Sequence, residues 1–200
     1  MRQLARKADA WIMAGLCVLL LLVIGAMGFL SSYKNTAGNA ADAPARWPSD
    51  SRIEPEPGLP ILVMFAHPMC SCTRASLSEL RVLVSEFRGR FTPYVLSALP
   101  QGVGEEWMSS DLWKRAESIE GVRVMRDVEE YEAHLFGART SGHVVLYDAA
   151  GRLLFSGGIT SARGHVGDNY GLQQVASLLR KQTLNTAESP VFGCPLEDPQ

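Results

Sequence analysis

Residues 60–76 read PILVMFAHPMCSCTRAS. The stretch 60–67 (PILVMFAH) is a short continuous apolar run, the pattern of a strand buried in a sheet that is covered on both faces. Two cysteines, Cys70 and Cys72, follow it with only Ser71 between them. Leu77, Leu80, Leu83, Val84 and Phe87 then recur at spacings of three and four, which predicts an amphipathic helix closed by Gly89. Ser76 and Glu79 have capping-box spacing, and Thr73 is a rival N-cap three residues earlier. A cysteine pair between a buried strand and a helix decides how the rest of the chain is read.

Downstream, FTPYVLSAL (91–99) predicts a second strand. A polar stretch follows, then a short helix near Asp111 to Ile119, a third strand at 121–127 and a short helix at 128–137. GHVVLYDAAGRLLFSGG (142–158) predicts a hairpin turning at Asp148 to Gly151. A glycine-rich loop, Gly157 to Gly171, leads into a last helix carrying Leu172, Val175, Leu178 and Leu179. Early strand–helix–strand units imply parallel pairing and the late hairpin antiparallel pairing, so the expected fold is α/β with a mixed sheet flanked by helices.

Upstream, Trp11 to Leu30 is a run of twenty residues without a charge. At about 1.5 Å per residue it spans roughly 30 Å, the hydrocarbon thickness of a bilayer. The nearest small-residue cleavage patterns, at Ala41 to Ala45, stand too far beyond it for a cleaved signal, so an uncleaved anchor is expected. Leu16 before Cys17 does not suit a lipoprotein signal, which leaves Cys17 as one more apolar side chain. Arg2, Arg6 and Lys7 precede the span, placing the N-terminus in the cytoplasm and the rest outside it. In a bacterium that is an inner-membrane protein with its soluble domain in the periplasm, where disulfides persist. The expected organisation is a cytoplasmic N-terminus (1–10), a transmembrane helix (11–31), a linker (32–58) rich in Ala, Pro and Ser, a domain (59–183) and a tail (184–200) with Cys194. A net charge of −2 gives no footprint for nucleic acid.

The order of elements, with a cysteine between the first strand and first helix, resembles the thioredoxin fold. Phe65 and Cys70 in FAHPMCSCTRA keep the spacing of the strand phenylalanine and active cysteine of that family. The stretch RVMRDVEEYEAHLFGARTSGHVVLYDAAGRLLFSGG is similar to membrane-anchored periplasmic thioredoxins of the cytochrome-maturation type, and the whole chain to RedB-type thioredoxin-like proteins. The resemblance covers about residues 59–183 and implies thiol–disulfide exchange with partner proteins. Two positions depart from it. The family carries C-x-x-C, whereas here Thr73 stands in place of the second cysteine. Ser141-Gly142 fills the place of a cis-proline that, in the family, exposes backbone for substrate pairing and keeps metals off the thiols.

Cys70, just before a helix N-terminus, is placed where unpaired N–H groups favour a thiolate, the nucleophile of thiol exchange. Arg74 on the first turn adds positive charge. Cys72 resolves the mixed disulfide if Ser71 is turned enough for an i, i+2 pair to meet, and Cys194 is a second candidate for that role. Ser141 and Gly142 supply backbone beside the sulfurs, and Arg163 and His165 border them from the glycine-rich loop. His134 and His143 read as structural. The expected function is thiol–disulfide exchange through Cys70 and Cys72, with no cofactor. The alternatives are a copper or zinc carrier using Cys70, Cys72 and a histidine, His67 or His165, near the soft Met69, and a domain that binds a partner without redox turnover.

Overall fold

The computed structural model describes residues 2–39, 41–99, 110–181 and 187–197. The chain divides into two units, Met1–Thr36 and Ala37–Gln200. The first is a helix, α1 (Arg2–Asn35). Its portion Trp11–Asn35 is long and apolar enough to cross a membrane and none of it is buried. The helix runs past the expected limit because polar side chains finish its last turn: Asn35 Nδ2 donates to the Ser31 carbonyl at 2.8 Å and Thr36 Oγ1 to that of Ser32 at 2.7 Å.

The second unit holds β1 (Ile61–Ala66), α2 (Thr73–Glu86), β2 (Thr92–Leu99), α3 (Asp111–Glu117), β3 (Arg123–Val128), α4 (Tyr131–Leu135), β4 (His143–Tyr147), β5 (Leu153–Gly158), α5 (Tyr170–Leu179) and β6 (Ala187–Glu188). The described strands form one sheet in the order β3-β2-β1-β4-β5-β6. β1, β2 and β3 run parallel, while β4 is antiparallel to both β1 and β5. This is the thioredoxin-like arrangement, with the first strand central and the hairpin beside it. The polar stretch expected after Leu99 falls on 100–109, outside the described residues.

All six residues of β1 are buried, as a strand covered on both faces requires. Leu62 and Met64 face one core with Leu77, Leu80 and Leu83 of α2, Leu112 of α3 and Val175 of α5. Ile61, Val63 and Phe65 face the other, with Tyr94, Leu96, Val145 and Tyr147. Among the described residues the helix on that second face is α4, five residues long and too short to cover the sheet.

The cover comes from residues expected to be a free tether. Within 37–58, Trp47 meets the rings of Phe136 and Tyr147 edge-on, with centroids 4.9 and 5.3 Å away, and Ile53 is buried. Backbone pairing holds the segment too: the Trp47 N–H donates to the Gly151 carbonyl at 2.8 Å and the Leu153 N–H to that of Ala45 at 3.0 Å. The buried Glu132 accepts from the Ser51 hydroxyl at 2.8 Å and the Arg52 N–H at 2.7 Å. The linker 32–58 is therefore corrected: its start is helical and most of the rest is part of the domain.

Candidate functional site

After β1 the chain turns tightly. The N–H groups of Cys70, Thr73, Arg74 and Ala75 donate to the carbonyls of His67, Cys70, Ser71 and Cys72 at 3.0–3.3 Å, a succession of i, i+3 bonds. Cys72 is the N-cap of α2, itself in helical conformation and making no side-chain cap bond. The expected capping box is not formed, because the helix starts one turn earlier. Its two residues are used elsewhere: Ser76 is buried against Gly142, and the buried Glu79 accepts the Gly167 N–H at 2.6 Å, tying α2 to the glycine-rich loop.

The Cys72 thiol lies close enough to Cys70 to feel its charge. Cys17, Cys70, Cys72 and Cys194 are free thiols. Cys70 is 1% exposed, and its sulfur receives the Cys194 N–H at 3.4 Å. Burial pushes the Cys70 thiol up, but bonds from the side chain and N–H of Cys194 and from the hydroxyl and N–H of Thr73 outweigh it, so its pKa lies below the ordinary value. Cys72 is shifted the other way, by burial and by the neighbouring Cys70, against the pull of Arg163. Burial and the bond to Cys70 push Cys194 up to about 12. Of the three sulfurs, Cys70 is the one disposed to carry negative charge.

Two segments hold this arrangement. Gly142 has φ +88°, open to glycine, and a Cβ there would lie 2.8 Å from Ser76 Oγ. Its N–H donates to the Phe65 carbonyl at 2.7 Å, which seats Ser141 over the cysteine turn. Ser141 Oγ receives the His67 N–H at 2.8 Å and lies 2.7 Å from Thr73 Oγ1. The second segment is the C-terminal tail, whose Cys194 carbonyl accepts the Ser141 N–H at 2.8 Å. Arg163 donates to the Gly193 carbonyl and faces Cys72 and Cys194.

The structure thus gathers Cys70, Cys72, Cys194, Ser141, Gly142 and Arg163. Arg74, expected beside the thiolate, points outward to Asp111 at 3.4 Å, because its place on α2 lies on the solvent face. His165 is exposed in the loop. His67 is buried and its Nδ1 accepts the Met69 N–H at 3.2 Å, while Met69 is exposed. Among the described residues no group of three or more His, Cys, Asp or Glu side chains is arranged to hold a metal ion. Thr73, which stands where C-x-x-C proteins keep their second cysteine, does not cap the helix but lowers the Cys70 pKa.

No protein-family model matches the sequence, and no curated protein matches it. Among solved structures, the chain is similar to an uncharacterised conserved protein from Geobacillus kaustophilus, with 14% identity, 82% of this chain and 93% of that one covered, and a TM-score of 0.58. It is also similar to a hypothetical protein from Sinorhizobium meliloti 1021, with 18% identity, 80% and 93% coverage and a TM-score of 0.55. A third similar structure is the pneumococcal exposed lipoprotein thioredoxin from Streptococcus pneumoniae strain TIGR4, at 17% identity, 62% and 86% coverage and a TM-score of 0.44. With the first two this chain shares its fold, and that fold is thioredoxin-like.

Proposed function

We propose that the protein carries out thiol–disulfide exchange with partner proteins outside the cytoplasm, held to the membrane by α1. The observation that carries the reading is Cys70: its sulfur receives the Cys194 N–H at 3.4 Å, Cys194 and Thr73 draw its pKa down against burial, and two further thiols stand beside it. A thiolate with neighbouring thiols can attack a disulfide and then be released by a second sulfur. Cys70 is the nucleophile, and Cys72 or Cys194 resolves. Ser141 and Gly142 position the turn, and Arg163 places positive charge beside the resolving thiols.

The test is a pH series of alkylation by a small haloacetamide on the detergent-solubilised full chain, followed by peptide mapping. Cys70 should react with a midpoint below the ordinary thiol value, and Cys70→Ser should abolish reduction of a disulfide substrate. An ordinary midpoint with substrate reduction intact in Cys70→Ser sinks the reading. For the location, a reporter active only outside the cytoplasm, fused after Gln200, should be active; an active cytoplasmic reporter reverses the topology.

A further inference from the structure

The tail meets the site as an added strand. Besides the Ser141–Cys194 bond, the Leu196 N–H donates to the Arg139 carbonyl at 3.0 Å, and Thr140 and Pro195 pair antiparallel between them. Gly193 passes so close that a Cβ would overlap the Ser141 carbonyl oxygen. Cys70 therefore lies beneath a strand of its own chain, whose Cys194 N–H meets its sulfur. A sulfur so covered cannot meet a partner's disulfide. The cover is itself a cysteine, so access and resolution are one problem.

We propose that residues 193–195 occupy the backbone strip on which a partner's cysteine-bearing strand docks, and that Cys194 is the resolving thiol: the partner lifts this part of the tail, and its return expels the partner. This rests on the exchange reading of Cys70. The Cys70 thiolate attacks one sulfur of the partner's disulfide. A Cys70–partner bond forms, the partner's S–S bond breaks, and its second sulfur leaves as a thiolate that takes a proton from water. The tail then re-pairs with Ser141, and Cys194, giving its proton to solvent, attacks the Cys70 sulfur. The Cys70–Cys194 bond forms, and the partner's first sulfur leaves as a thiolate and is protonated. Two electrons have passed from the chain's two thiols to the partner, which now carries two thiols in place of its disulfide.

Two features favour Cys194 over Cys72. Backbone pairing at Ser141 already holds Cys194 against Cys70, whereas bridging Cys70 to Cys72 closes a strained loop through one residue. The tail is also anchored on both sides of the crossing, by the buried Val191 and Leu196 and by a 3.0 Å contact of Glu197 with His134, so 192–195 can lift while the anchors hold.

The test uses the full chain in detergent, with oxidised glutathione as the disulfide probe and the products mapped by mass spectrometry. The wild type should end as a Cys70–Cys194 disulfide without retained glutathione. Cys194→Ser should hold glutathione on Cys70, while Cys72→Ser should release it as the wild type does. Gly193→Ala should lift the strand and speed alkylation of Cys70 by a bulky maleimide by about tenfold or more, since access then follows local opening. A Cys70–Cys72 product, or trapping by Cys72→Ser alone, overturns the inference and leaves exchange at Cys70 standing. Unchanged maleimide access in a folded Gly193→Ala overturns the docking strip. If Cys70 takes no glutathione in any variant, Gly193→Ala included, the exchange reading fails with it.

Discussion

The hydroxyls of Thr73 and Ser141 lie 2.7 Å apart and join the end of β1 to the Cys70 sulfur. Ser141 Oγ accepts the His67 N–H, so its own proton is left for Thr73 Oγ1, and the Thr73 proton for Cys70. Each donor polarises the next, and the chain ends on a sulfur where negative charge is needed. Thr73→Val removes the last link and should slow Cys70 alkylation at pH 7 by roughly tenfold, the scale of one hydrogen bond to a charged group. Ser141→Ala should act in the same direction and less strongly. A rate unchanged in both variants would show that the amides alone hold the thiolate.

The basic residues near the cysteines separate by what they touch. Arg163 holds the Gly193 carbonyl and pulls against the burial that raises the pKa of both Cys72 and Cys194. Arg163→Ala should slow release of a Cys70 mixed disulfide and make Cys70 easier for a bulky reagent to reach. Arg74→Ala and His165→Ala should leave both measurements within about twofold, as expected of exposed side chains. Equal effects from all three would point to the general field of positive charge instead.

His143 gives the domain a dependence on pH. It is fully buried in β4, its Nε2 lies 2.9 Å from Ser156 Oγ, and Nδ1 has no hydrogen-bond partner among the described residues. Burial lowers its pKa from 6.5 to about 4. The unfolded chain binds a proton here that the folded one refuses, so the stability is complete above pH 6.5 and is lost as pH falls towards about 4. That loss should reach up to about 3 kcal/mol in urea titrations between pH 7 and 4. His143→Gln, which can keep a bond to Ser156, should flatten the dependence.

Residues 37–58 should prove to be part of the folding unit. Trp47→Ala removes two edge-on aromatic contacts and half-buried apolar surface, and should cost about 2–3 kcal/mol by thermal or chemical unfolding. A soluble chain beginning at residue 37 should melt cooperatively, and one beginning at residue 59 at a clearly lower temperature. Equal melting of the two would return this segment to the role of a tether.

What could be read from the sequence, and what could not, follows from how each part is held. PILVMFAH and the Leu77–Phe87 spacing reveal β1 and α2 because their burial is periodic, and the Asp148–Gly151 turn reveals the hairpin. The segment 37–58 has no period: it is fixed by isolated residues, Trp47 and Ile53, and by backbone pairing that any composition allows. The cysteine turn is legible from its place between strand and helix. Which charges face it is not: Arg74 stands two residues from Cys72 in sequence yet points outward to Asp111, while the distant Arg163 faces Cys72 and Cys194. The Thr73–Ser141 contact joins residues 68 positions apart and leaves no local trace.

The same segment that covers Cys70 also pairs, through Ala187 and Glu188, with Phe155 and Ser156 at the rim of the sheet. A sheet edge stripped of its neighbour presents free amides and carbonyls to any extended chain, and is a starting point for aggregation. With only two paired residues in β6, a wide opening of the tail would bare that edge, whereas a lift confined to 192–195 would keep it sealed. The division of the tail into a sealing part and a moving part therefore keeps an open thiol site from also being a sticky one.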